Sequence, residues 1–147
     1  MAIIASGLYG LTLEKMFNNT AALDLEAETY KGALFTDTVA PDFTADTAYG
    51  ASPYDANETD GGSWPAAGVA LVGTEITVAA GVLKFDATDV SVATTDITSA
   101  MGYLWHATGV AEEAILLVDF VTAVTTVNGT FEITWHGDGI FTLDYTP

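Results

Sequence analysis

Hydrophobic and polar positions alternate along much of this chain, and the pattern is clearest near its end. Phe131, Ile133 and Trp135 alternate with Thr130, Glu132, Thr134 and His136, and Phe141, Leu143 and Tyr145 alternate with Thr142, Asp144 and Thr146. Alternation with a period of two predicts strands with one buried face. Gly137-Asp138-Gly139 lies between the runs, and glycine supplies the positive φ angles of a tight reversal. The two runs therefore predict a β-hairpin whose aromatic face the rest of the chain must cover.

Upstream, one stretch has helical rather than strand spacing. Tyr9, Leu13, Met16 and Phe17 fall at i, i+4, i+7 and i+8, an apolar stripe that predicts a helix over 7–18 packed against a sheet. Ser6 is placed to cap its start, and Asn18-Asn19 to end it. Residues 1–6 precede it as an arm that either contacts a neighbouring subunit or is a free tail. The run 28–36 predicts a strand with Tyr30, Leu34 and Phe35 turned inward.

From Trp64 onward short strands follow one another. Residues 68–72 and 74–79 are apolar runs separated by Gly73, read as a bulge or kink. Ala80-Gly81 turns into a strand in which Leu83 and Phe85 share a face, and Val90 and Val92 follow. Residues 100–107 are apolar on both faces, which predicts a central strand, and 115–120 make the next buried one. No repeat or low-complexity linker divides the chain, so 1–147 reads as one domain. The expected fold is mainly β, a single-domain antiparallel β-sandwich (Ig-like or a related barrel) with one short N-terminal helix.

Residues 37–63 break every pattern. They hold six acids, two prolines, Gly61-Gly62 and the aromatics Phe43, Tyr49 and Tyr54. So long an irregular, acidic connection inside a small domain is more often functional or disordered than neutral, and a short helix around Thr47 to Ser52 is expected within it. Its aromatics pack either on their own domain or on a partner. Trp64, just after it between Ser63 and Pro65, either is exposed, as a sugar-stacking platform would be, or folds back over the end of its own sandwich.

Composition narrows the chemistry. The 147 residues include three lysines, no arginine and twenty acids, a net charge of −17. With no basic patch to release counterions, nucleic-acid binding is disfavoured, and so is an anionic membrane surface. The acid serves either solubility or docking onto a basic partner; the plainer reading is a solvated surface with no charge-selected partner. There is no cysteine, which removes thiol catalysis, zinc–thiolate sites and disulfides. The N-terminus lacks a basic n-region, so no signal peptide is expected, and no apolar run is long enough for a transmembrane helix. The Asn-x-Thr sequences at Asn18, Asn57 and Asn128 are read as chance.

Candidate chemistry is thin. His106 and His136 each follow a tryptophan; adjacent strands would let them bind a metal with a carboxylate, although isolated histidines on sheets are usually packing or surface residues. Asp55, Asn57 and Thr59 mimic the start of a calcium loop, but Asp60 stands where glycine is required and Ala66 where a bidentate glutamate is. No nucleophile elbow, phosphate loop or zinc-protease helix is present. No catalytic residue, cofactor or metal ligand is therefore expected.

The order of motifs carries more than any one of them. LYGLTLEKMFNN, DLEAETYKGALFTDTVAPDFTADTAY, SWPAAGVALVGTEITV, VLKFDATDVSV, AILLVDF and VNGTFEITWHGDGIFTL follow one another over nearly the whole chain. This succession resembles a family of small virion structural proteins of tailed bacteriophages, labelled head decoration, minor capsid or minor tail proteins. The resemblance implies a non-enzymatic particle component and transfers no functional residue. It leads to the expectation of a capsid decoration protein, made in the host cytoplasm, on the outer surface of the virion head. There it would bind the major capsid protein, with a homo-oligomer (a trimer at local threefold positions) as the expected assembly. The alternatives are a minor tail or fibre-associated protein and a carbohydrate-binding adsorption module. The expected contact residues are Met1, Ile3 and Ile4 of the arm, Phe43, Tyr49 and Tyr54 of the acidic loop, and Trp64.

Overall fold

A computed structural model describes residues 3–26, 29–109 and 111–146. The chain is mainly β, antiparallel throughout, with one short helix among the described residues. In order the elements are β1 (Gly7–Leu8), α1 (Gly10–Phe17), β2 (Tyr30–Thr36), β3 (Val69–Leu71), β4 (Glu75–Ala79), β5 (Val82–Asp86), β6 (Val90–Thr95), β7 (Ala100–Ala107), β8 (Ala114–Val124), β9 (Gly129–Ile133) and β10 (Phe141–Asp144). They form a five-stranded sheet in the order β1-β8-β7-β2-β3, a three-stranded sheet β10-β5-β4 and the pair β6-β9.

The central strands of the five-stranded sheet, β2 and β7, are buried on both faces, and β7 lies at the centre, as an apolar run on both faces predicts. One face carries Tyr30, Leu34, Tyr103 and Trp105, which pack with Phe85, Phe131, Ile133 and Trp64 from the other layer. The Phe85 and Trp105 rings stack at 4.6 Å, and Trp64 meets Phe131 edge-on at 5.1 Å. The opposite face carries Ala33, Phe35, Leu104 and Leu117, and is covered by Ile3, Tyr9, Val39 and Tyr54. Half of the second core is thus supplied by segments outside the strands.

Several expected elements are corrected. Residues 7–8 are not helical: they pair with β8, Gly7 with Leu117 and Leu8 with Leu116. Ser6 does not cap the helix; its Oγ accepts the Asp119 N–H at 2.9 Å, and Tyr9 holds the N-cap without a side-chain bond. The apolar stripe splits, because Tyr9 is fully buried while Phe17 is 82% exposed. No helix forms around Thr47 to Ser52. Gly73 is no bulge within a strand but the point where the chain leaves the larger sheet, since β3 pairs with β2 and β4 with β5.

The largest correction concerns the final hairpin. β9 pairs with β6 and β10 pairs with β5, so the two do not pair with each other. They run in the same sense beside β5 and β6, as the second strand of one bent ribbon. Phe85 and Val90 are five positions apart, while their partners Phe141 and Ile133 are eight apart. Gly137-Asp138-Gly139 thus sits in an excursion of three extra residues, which bends the ribbon as a bulge does. Trp135 holds that bend, its backbone N–H donating to Asp89 Oδ1 at 2.9 Å and its indole N–H to the Thr88 carbonyl at 3.2 Å. The true tight hairpin is β4–β5, where Ala80 and Gly81 hold φ of 51° and 82°, the two positive angles of a type I′ turn.

Candidate contact surface

The long acidic segment is stitched to the sheet by its backbone. Thr36 N–H donates to Asn57 O at 3.0 Å, Thr59 N–H to Leu34 O at 2.8 Å, Tyr49 N–H to Glu112 O at 3.0 Å and Ala114 N–H to Thr47 O at 3.0 Å. Side chains reinforce it. Glu58 accepts the Tyr49 hydroxyl at 2.8 Å and the Ala67 N–H at 2.7 Å. The Tyr9 and Tyr54 hydroxyls bond each other in the second core, and Tyr54 also bonds the Asp46 carboxyl. Burial raises the Asp46 pKa above its ordinary 3.8, against the lowering effect of the Asp42 N–H that it accepts. Burial likewise raises the Tyr9, Tyr54, Tyr49 and Tyr103 hydroxyls, so these tyrosines stay protonated.

The expected contact residues are therefore mostly claimed by their own domain. Ile3 is 1% exposed, Tyr54 2% and Trp64 1%, so none of the three presents a side chain to a partner. Phe43 and Tyr49 are half-buried: Phe43 lies 5.2 Å from the Tyr9 ring, and Tyr49 stacks on His106 at 4.4 Å. Of the arm, Ile4 remains outward at 81% exposure; Met1 lies outside the described residues. Burial of Trp64 removes it as a sugar platform, and it covers its own sandwich instead.

The histidines do not meet in one site. His106 is buried on β7 with Nδ1 2.8 Å from Ala107 O and Nε2 3.1 Å from Ala67 O, whereas His136 is exposed beside Asp138 at 3.2 Å. In the calcium-like stretch, Thr59 donates its hydroxyl to Thr98 O at 3.0 Å and is committed to the fold. Among the described residues no group of three or more His, Asp or Glu is arranged to hold a metal ion.

What the fold leaves open lies on the other layer. Because β10, β5 and β4 are in register, Phe141, Leu143, Leu83, Phe85, Ile76 and Val78 share one face. Phe85 is buried against Trp105, but the far end of the same face runs past the core. There Leu143 is 51% and Val78 61% exposed. With α1 this end frames an apolar groove of about 240 Å³, lined by Leu13, Met16 and Phe17 on the helix side and by Ile76, Leu83 and Leu143 on the sheet side. No helix among the described residues is long and apolar enough to cross a membrane.

No protein-family model, curated protein or solved structure matches the chain. The groove is the feature that sequence reasoning missed. Phe17 and Leu143 read in the sequence as members of apolar stripes, and nothing local in the pattern distinguishes them from the buried members.

Proposed function

We propose that the chain is a non-enzymatic structural protein of a tailed-bacteriophage particle, a decoration protein seated on the outside of the assembled head. The observation that carries this reading is the succession of motifs from LYGLTLEKMFNN to VNGTFEITWHGDGIFTL over nearly the whole chain. The fold is compatible with such a part: the long acidic segment is spent on the domain's own second core, and an apolar groove lies open beside the smaller sheet. The mechanism is cementing, in which each copy bridges neighbouring major capsid subunits and adds interface area. Many modest contacts, repeated by the symmetry of the shell, hold more strongly than one. A homo-oligomer, three copies around a local threefold position of the shell, is the proposed assembly.

Quantitative mass spectrometry of purified particles tests the location: hundreds of copies per particle are expected for a head protein, and a few would move it to the tail. Particles lacking the protein should lose resistance to heat and osmotic shock. Unchanged resistance would remove the cementing role.

A further inference from the structure

The groove between α1 and the β10-β5-β4 sheet has a distinct chemical frame. Phe17, the last residue of α1, stands at its lip and is 82% exposed. Its lining is apolar and its volume, about 240 Å³, is below the roughly 300–1,000 Å³ of pockets that enclose a whole small molecule. It suits two or three side chains of a larger partner, and contiguous exposed apolar surface marks such sites.

The charges around it decide which partner. Glu26 stands at the border, accepting the N–H of groove residue Ile76 at 2.9 Å. Glu14 is exposed three positions before Phe17 on the same helix. The cations offer no balance. Lys15 lies 3.9 Å from Glu113 and Lys84 3.1 Å from Asp86, and all three lysines are partly buried. A second copy of this chain would bring acid against acid and no exposed lysine. A segment with positive charge beside its apolar residues gains on both counts.

We propose that this groove docks an apolar peptide segment of another protein that is flanked by lysine or arginine. Its apolar side chains enter between Phe17 and Leu143, and its cations lie over Glu14 and Glu26. A capsid subunit is one carrier of such a segment, and the groove would take the same chemistry from any other protein.

The test uses the full chain and two synthetic peptides of about twelve residues, one of leucine and lysine and one with glutamate in place of each lysine. Fluorescence anisotropy should show binding of the lysine peptide and weaker binding of the glutamate peptide. Phe17→Ser and Leu143→Ser should each weaken the lysine peptide by about tenfold or more, the scale of one buried apolar side chain. Val127→Ser, which changes an exposed residue outside the groove lining, should leave it unaltered. The replaced groove side chains are exposed, so unchanged melting temperatures should accompany the losses. No binding of the lysine peptide overturns the proposal, as does binding indifferent to Phe17 and Leu143, which would be surface charge alone. A dimer in sedimentation that Phe17→Ser dissolves also overturns it, by making a second copy the occupant. None of these outcomes bears on copy number in particles, so the groove and the particle assignment fail separately.

Discussion

Asp46 and Asp42, four positions apart, should respond to pH in opposite senses. Burial raises the Asp46 pKa above 3.8, so the folded chain keeps a proton there that the unfolded chain has released. Its contribution to stability is full below the ordinary value and is lost as pH rises through the window just above it. Asp42 is held below 3.8 by hydrogen bonds from the Thr44 side chain and backbone; its contribution is present above that value and is lost as pH falls further. Asp46→Asn keeps an acceptor for the Asp42 N–H and removes the buried charge. Thermal melts across pH 4 to 7 should therefore show a flatter profile for the variant, with a melting temperature at pH 7 equal to or a few degrees above the parent's. A variant profile parallel to the parent's would place the proton elsewhere. The same residues show what sequence could not disclose. Tyr54, Ile3 and Trp64 were legible as large apolar groups outside regular strands, a description shared by contact residues and core residues alike. The deciding fact is that the central strands β2 and β7 bury both faces, and no single stretch of sequence announces how many covers they need.

α1 has eight residues, too few to be stable by itself, so its position depends on anchors. Thr12 is its one fully buried residue, and the Thr12 hydroxyl donates to Ala114 O at 2.5 Å. Thr12→Val keeps the shape, removes the donor and leaves a carbonyl in the interior. It should cost about 1–3 kcal/mol, and hydrogen exchange should show the α1 amides losing protection before those of β7. Equal loss in both would mean that the helix and sheet open as one unit. Strand existence was largely readable from period and propensity, down to the bounds of β7 at 100–107. Pairing was not. β9 and β10 have the alternation expected of a hairpin, and glycines lie between them, yet residues 134–140 are long enough to bend rather than reverse. Trp135 commits the bend by reaching Thr88 and Asp89, a contact 46 to 47 positions away, beyond the reach of any local pattern.

At the scale of the whole molecule the governing quantity is charge. Twenty acids against three lysines leave −17 on 147 residues, and two of those lysines already lie near acids of their own chain. Such an excess repels itself in the compact state more than in the expanded one. The range of that repulsion shrinks from about 30 Å at 0.01 M salt to about 8 Å at 0.15 M, which spans the change from most of the domain to near neighbours only. The domain should therefore melt higher with added sodium chloride, by about 3 °C or more between those two concentrations, as a gain near 1 kcal/mol implies at this size. Scanning calorimetry at fixed pH checks this, and the sign is informative. Ion pairs that hold the fold would weaken with salt and lower the midpoint, whereas a rise means that the acidic surface is retained at a cost to the isolated domain. A basic surface seated against the acids would relieve that cost, and the same salt would then loosen the docked segment while it steadied the free protein. Measured together, a midpoint rising and a peptide affinity falling over one salt series would tie the charge of the molecule to the groove beside Phe17 and Leu143.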